Sequence, residues 1–177
     1  YSALLKKGVE DIAIIAFSKE QENAIAKEMQ KQKVKLNEKL ILRNLENVQG
    51  IEKEYVLISI GYAKNPDGIF RMNFGPVNQE NGANRLNVLF TRAIKKMIVF
   101  TSVTSSDFKL SDNRGVQIMK DFLYYVEHLE LSSKVHHDKN YANQLVQSII
   151  DSRKIEVDYY SILDGIAINC FVQHSSN

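Results

Sequence analysis

Short runs of unbroken hydrophobic residues alternate along this chain with longer stretches in which apolar positions recur every three or four residues. Ile12-Ala13-Ile14-Ile15-Ala16-Phe17 has no polar member, which predicts a strand covered on both faces. Ser18 follows where a helix cap belongs, and Gln21 stands three residues on in a capping-box spacing. The polar stretch to about Lys33 carries Ile25 and Met29 four apart, the stripe of an amphipathic helix. Leu40 to Leu45 reads as a second strand and Tyr55 to Ile60 as a third. Asn65-Pro66-Asp67-Gly68 is a turn, because Pro presets φ and Gly accepts positive φ.

Arg71 to Asn84 predicts a long surface loop. From Arg85 to about Ile94 the pattern is helical, with Leu86, Leu89, Phe90 and Ala93 on one face. Met97 to Phe100 predicts another buried strand, and Gly115 to about Leu131 a helix with Ile118, Phe122 and Val126 inward. At the start, Tyr1 to Lys7 reads as the end of a helix stopped by Gly8. Strands alternating with helices predict an α/β fold, a parallel sheet with helices on both faces. After the polar break Ser132 to Asn140, a helix near Tyr141 to Arg153 and strands at Ile155 to Tyr160 and Gly165 to Val172 read as a separate unit. The expected boundaries are therefore 1–131 and 132–177.

Composition narrows the function classes. The 177 residues carry 23 basic and 21 acidic side chains, so attraction to a polyanion has to come from a local patch. The single cysteine, Cys170, excludes an internal disulfide and leans towards a reducing, cytoplasmic setting. The longest apolar run is far too short to span a bilayer, so no membrane partner is expected. The first residues, Tyr1-Ser2-Ala3, lack a Met and a signal pattern, which suggests a piece of a longer chain.

No Gly is followed by Lys and no Asp by Glu, so neither a phosphate-cradling P-loop nor the acidic pair of a Walker B strand is present. No metal site is expected. His136-His137-Asp138 lacks a third partner, and Cys170 with His174 falls in a strand-like stretch. Two segments carry chemistry. In Leu45 to Glu54, Gln49-Gly50 makes a permissive turn with Glu52 two residues on, just ahead of a strand. By spacing alone that is equally a plain turn. In Asn84 to Ala93, Arg85 and Arg92 lie seven apart, two helical turns, so both can project from one side of a helix. Between Asn81 and Ser106 there is no acidic residue, while Arg85, Arg92, Lys95 and Lys96 give a local charge of +4. That is either an anion-facing patch or a solvated basic face.

Together these segments resemble motifs V and VI of superfamily 1 helicases: Val48-Gln49-Gly50-x-Glu52-Lys53-Glu54 before one strand, Arg85-Leu86-Asn87-Val88-x-x-Thr91-Arg92-Ala93 before another. Ala16 to Gln21 stands where that family has its motif IV Gln, and the run from Asn47 to Val88 is similar to the Upf-like bacterial large-helicase branch. The resemblance spans about Ile12 to Val103.

It implies the second RecA-like motor domain of an ATP-dependent helicase, P-loop-NTPase-like in fold but lacking the P-loop. A missing first RecA-like domain would hold ATP and the Mg²⁺ ligands. Arg92 would be the arginine finger, with Arg85 assisting or pairing within the domain. Gln21, Gln49, Gly50 and Glu52 would contact nucleotide, Glu52 at the ribose. Gln21, Glu52 and Arg92 would then share one edge of the sheet. A single nucleic-acid strand, DNA ahead of RNA, would cross the top of both domains, and this chain alone would hydrolyse no ATP. Where relatives of that branch have Asp-Glu-Arg-Asp, this chain has Ile51-Glu52-Lys53-Glu54. The tail has the outline of the start of a restriction-type nuclease domain, with Asp164 or Asn169 near the acidic position and no Glu-x-Lys following. Two other functions fit the residues: a decayed, non-catalytic helicase half that binds nucleic acid or protein, and an unrelated α/β enzyme with its own anion pocket.

Overall fold

The computed structural model describes residues 1–128, 148–163 and 166–169, the last seven-residue part (161–163 and 166–169) by its backbone. Helix α1 (Ser2–Lys6) precedes β1 (Ile12–Ala16), α2 (Lys19–Lys31), β2 (Ile41–Asn44) and β3 (Lys53–Ile60). Then come α3 (Gly82–Phe90), β4 (Ala93–Thr101) and α4 (Arg114–Glu127). Residues 148–153 are helical (α5) and lead into β5 (Glu156–Leu163) and β6 (Ile166–Asn169). The strand order is β2-β1-β3-β4-β5-β6. The first five strands are parallel, and β6 returns antiparallel to β5. With helices on both faces, this is the expected RecA-like α/β fold.

Alternation along each strand divides the core. Ile12, Ile14, Leu57 and Ile98 face α1 and α2, where Leu4, Leu5, Ile25 and Met29 pack on them. Ala13, Ile15, Val56, Ile58, Met97 and Val99 face the opposite side, against Leu86, Leu89, Phe90, Met119 and Phe122 of α3 and α4. All five residues of β1 are buried, as its unbroken apolar run requires. Phe90 and Phe122 stack with centroids 4.2 Å apart where α3 meets α4.

The cap at Ser18 forms, its hydroxyl accepting from the Gln21 N–H. The reciprocal half of the box does not, because the Gln21 side chain bonds elsewhere. Gly8, at φ +79°, ends α1 as expected.

Three expectations are corrected. The 71–84 stretch is not simply a surface loop. Phe74 and Val77 are fully buried, and Phe74 packs against Tyr62, Phe70 and Phe108. The helix containing Arg85 begins earlier, at Gly82, and ends at Phe90, so Arg92 lies in the turn to β4 and not on a helix. Ala93 fits the helical stripe, yet it is buried as the first residue of a strand. The described part of the tail is not a separate unit either. β5 pairs along β4 from Lys96–Glu156 to Thr101–Ser161, and Ile150, Ile155 and Tyr159 enter the main core. His136, His137, Asp138, Asp164, Cys170, His174 and the Asn169 side chain lie outside the described residues.

Candidate functional site

The sheet places the motif-like segments at two opposite ends. β3 and β4 start side by side: Lys53 pairs with Ala93, and the Lys53 N–H donates to the Arg92 carbonyl at 3.1 Å. The residues just ahead of both strands, Gln49 to Glu52 and Thr91-Arg92, therefore share the amino end of the parallel sheet.

The chain reaches that edge from β2 without a helix. Leu45, Val48 and Ile51 are buried along the crossover, including one 3-10 turn at Leu45–Asn47, and leave Gln49, Gly50 and Glu52 exposed. Gly50 sits at φ +78°, a conformation that Gly adopts at no steric cost.

Arg92 is held there by backbone and hydroxyl acceptors. Its Nε donates to Val88 O at 2.8 Å, Nη1 to Ile51 O at 3.0 Å and Nη2 to Thr91 Oγ1 at 2.8 Å. Thr91 Oγ1 in turn donates to Val88 O. A guanidinium has five N–H groups, so two remain without an acceptor among the described residues. No described carboxylate pairs with it.

The rest of the predicted basic patch is otherwise engaged. Lys95 pairs with Glu54 at 2.6 Å. Lys96 pairs with Asp158 at 2.9 Å and Glu156 at 3.4 Å. Burial alone would lower the Lys96 pKa, but those two carboxylates outweigh it and hold the pKa above its ordinary value. Arg85 donates to Pro76 O and Gln79 Oε1, at the start of α3, and shares no partner with Arg92. The +4 field is thus not one anion-facing surface, and the two arginines do not project side by side.

Gln21 lies elsewhere. Its Oε1 accepts from the N–H groups of Phe17 and Gly61, each at 3.2 Å, and its Nε2 donates to Ser59 Oγ at 2.8 Å. It clips together the carboxyl ends of β1 and β3. Six residue steps along β3 lead from Lys53 to Ser59, about 20 Å at some 3.3 Å per residue. The expected convergence of Gln21 with Glu52 and Arg92 therefore fails, while Glu52, Gln49 and Gly50 do share the Arg92 rim.

Arg153 joins that rim unforeseen by the sequence. From the end of α5 its Nη1 donates to Thr91 O at 2.7 Å and stands 3.4 Å from Glu52 Oε1. It lies 101 residues from Glu52, in the stretch read as a separate extension, so no local signal could have found it.

The rim thus sets a hydrogen-bonded guanidinium, Arg92, close in the chain fold to an exposed carboxylate, Glu52, whose oxygens can accept hydrogen bonds. Among the described residues no group of three or more His, Cys, Asp or Glu could hold a metal ion, and no described helix is long and apolar enough to cross a membrane.

Residues 1–104 match the sequence profile of a family described as an AAA domain. The chain belongs to that family. The matched region runs from α1 through β4 and contains Gln21, Gln49, Gly50, Glu52, Arg85 and Arg92. Two helicases are similar to it. One is the uncharacterized ATP-dependent helicase MG140 homolog of Mycoplasma pneumoniae, 36% identical over 90 residues, which cover 50% of this chain and 8% of that protein. The other is the uncharacterized ATP-dependent helicase MG140 of Mycoplasma genitalium, 33% identical over 92 residues, which cover 51% of this chain and 8% of that protein. The match thus covers about 8% of the length of these curated relatives. No solved structure matches. Family and relatives together support a helicase-type domain.

Proposed function

We propose that this AAA domain is the second motor domain of an ATP-dependent superfamily 1 helicase, in which Arg92 is the arginine finger. The observation that carries the reading is the state of Arg92. It is fixed by three hydrogen bonds on a sheet edge, with no described carboxylate to neutralise it. A buried or structural arginine is ordinarily paired; one left with two open N–H groups at an edge fits an anion arriving from outside the domain.

Phosphoryl transfer spreads negative charge over the equatorial oxygens of the moving phosphoryl group. A guanidinium held ready for that charge needs little reorganisation when it develops. In this reading ATP is seated on a first RecA-like domain, which also supplies the Mg²⁺ ligands, since the residues of this rim suit the phosphates and not the metal. Glu52 accepts from the ribose hydroxyls, and the exposed Gln49-Gly50 turn lies against the phosphates or the bound strand. Arg85 shapes the turn before α3, and Gln21 fixes the far end of the sheet. A single nucleic-acid strand, DNA ahead of RNA, crosses the paired domains and is held mainly through its phosphates, so its affinity falls with salt. The setting is cytoplasmic.

The test is steady-state ATP hydrolysis by the full-length protein that carries this chain. Arg92→Lys keeps the charge and loses the planar fork. It is expected to lower kcat by about 10³-fold or more, the range seen for arginine fingers. Turnover within a few-fold of the unsubstituted protein would refute the finger. The isolated chain is expected to show no ATPase activity above background.

A further inference from the structure

Glu52 and Arg92 share a rim, but only Arg92 is held by its own segment. Glu52 is exposed, and its one side-chain partner among the described residues is Arg153. Arg153, by contrast, is anchored independently of Glu52.

Helix α5 ends in a Schellman turn. The Lys154 N–H donates to Asp151 O and the Ile155 N–H to Ile150 O, with Lys154 in the left-handed region at φ +53°. Ile150 and Ile155, on either side of this turn, are both buried in the core. That fixes where Arg153 emerges. Its 2.7 Å bond to the Thr91 carbonyl then fixes the guanidinium against the end of α3. One oxygen of Glu52, Oε1, rests 3.4 Å from this post.

We propose that Arg153 is the positioning residue for Glu52: it holds one carboxylate oxygen and leaves the other directed to a ligand hydroxyl. The physical effect is preorganisation. A free glutamate at an exposed edge loses rotamer freedom when it binds, which costs about 0.5–1.5 kcal/mol per ordered side chain. A carboxylate already held by Arg153 has lost that freedom on folding. The pair adds little to stability, since exposed ion pairs are weak. Its consequence is for binding. Arg153 comes from the tail strand unit and not from residues 1–104, so the tail helix becomes part of the nucleotide rim. This inference rests on the nucleotide reading of that rim.

The experiment measures ATP hydrolysis by the full-length protein bearing Arg153→Ala, Arg153→Lys, Glu52→Gln and the Arg153→Ala/Glu52→Gln double substitution. ATP is compared with 2′,3′-dideoxy-ATP, which lacks the ribose hydroxyls. Arg153→Ala is expected to raise KM for ATP about three- to tenfold, the range set by that ordering cost, with kcat within about twofold. KM for the dideoxy nucleotide is expected to be unchanged. Arg153→Lys restores part of the loss. In the Glu52→Gln background Arg153→Ala should add nothing, because its effect passes through that carboxylate.

Two results overturn the proposal while leaving the rim intact. One is a Glu52→Gln effect on KM with none from Arg153→Ala. The other is an Arg153→Ala effect that persists in the Glu52→Gln background, which would assign it to Thr91. If Glu52→Gln leaves KM unchanged and Arg92→Lys leaves turnover unchanged, the nucleotide rim itself falls, and this proposal with it.

Discussion

Arg92 Nη1 donates to the carbonyl oxygen of Ile51 at 3.0 Å, so the residue ahead of β4 is tied to the residue just before Glu52. The finger candidate is therefore also a brace between the starts of two strands. An unburdened exposed finger could be truncated without structural cost, but here Arg92→Ala removes three hydrogen bonds from a charged donor. The expected loss is about 1–3 kcal/mol, read as a lower denaturant midpoint for the isolated chain. Arg92→Lys, able to restore one of those bonds, should fall between. An unchanged midpoint for Arg92→Ala would mean that the guanidinium is not engaged as described. Because stability is expected to respond to this position as well as turnover, Arg92→Lys, which keeps part of the bonding, is the cleaner probe of the proposed chemistry.

Gln21 and Gly61 form a second coupled pair, at the other end of the sheet. A Cβ on Gly61 would stand 2.2 Å from the Gln21 amide, whose oxygen accepts from the Gly61 N–H. The clash falls on the end of a flexible side chain, so Gly61→Ala should displace the amide and cost what the clip is worth. Two or three neutral hydrogen bonds, partly exposed, amount to about 1–2 kcal/mol. Gln21→Ala should cost about the same. The double substitution should cost less than the sum, since both remove one interaction. Full additivity would show the two effects to be independent. Some 20 Å from the Arg92 rim by strand length, Gln21→Ala should leave the KM for ATP of the full-length protein within about twofold.

The parts of this fold legible in the sequence are those set by neighbours along the chain. The apolar run at Ile12, the Ser18 cap, the Gly8 stop and the Asn65-Pro66-Asp67-Gly68 turn each depend on a few adjacent residues. The errors arise where a distant partner decides. Lys95 and Lys96 read as free cations because Glu54 lies 41 residues before the first, and Asp158 62 residues after the second. Ala93 continues the α3 stripe in sequence, yet its pairing with Lys53 makes it a strand residue. Phe74 and Val77, scattered among Asn and Gly, look like loop residues until Phe70, Phe108 and α4 surround them. Gln21 follows β1, whereas Glu52 and Arg92 precede β3 and β4, so a parallel sheet already sets them at opposite ends; the expectation that they meet comes from the family resemblance and not from the pattern of strands. The tail reads as a separate unit because its partner, too, is distant: Glu156 and Asp158 have no meaning until they meet Lys96.

Asp11 and Asp107 make stability fall in acid. Burial alone would raise both pKa values. For Asp107 the hydrogen bonds from Lys64 and Thr104 outweigh burial, and for Asp11 those from Lys53 and the Glu54 N–H do, so both are held below the ordinary carboxylate value. A carboxylate depressed in the folded state contributes stability that is present above its unfolded pKa and lost as pH falls through the folded value. Stability should therefore decline below about pH 4, the ordinary Asp range. Asp107→Asn should make that decline shallower while lowering stability at neutral pH, because the Lys64 pair at 2.6 Å is gone. Identical acid slopes for Asp107→Asn and the unsubstituted chain would contradict the assignment.

Gly82 offers a contrast with Gly61. A Cβ there would lie 1.9 Å from the Val77 carbonyl oxygen, and one on Gly115 would lie 2.2 Å from the same oxygen. Val77 is fully buried, and this carbonyl is wedged between the first turns of α3 and α4. Unlike an amide side chain, buried backbone cannot swing aside, so Gly82→Ala has to separate two helices that carry much of the core. The expected cost exceeds about 3 kcal/mol, beyond the range of most single substitutions. Gly115→Ala should be comparable. A loss under about 1 kcal/mol at either position would mean that the helix starts can part freely.

Lys33 presents the opposite case, a place where the natural residue is not the best one. Helix α2 ends as α5 does: the Lys33 N–H donates to Gln30 O and the Val34 N–H to Met29 O, with Lys33 itself at φ +50°. An L residue in that left-handed region costs roughly 1–2 kcal/mol, and Gly escapes this penalty at the expense of a more disordered unfolded chain, about 0.5–1 kcal/mol. Lys33 is exposed and forms no ion pair among the described residues. Lys33→Gly should therefore stabilise the chain by up to about 1 kcal/mol, a rise in Tm of about 2–4 °C for a chain of this length. The same substitution at Lys154, φ +53°, should act in the same direction. Gly8, already at φ +79° at the end of α1, supplies the reverse experiment, because Gly8→Ala should lower Tm by a similar amount. If Lys33→Gly lowers Tm instead, the lysine stem contributes packing that exceeds the backbone strain, and α2 is not limited by its final turn.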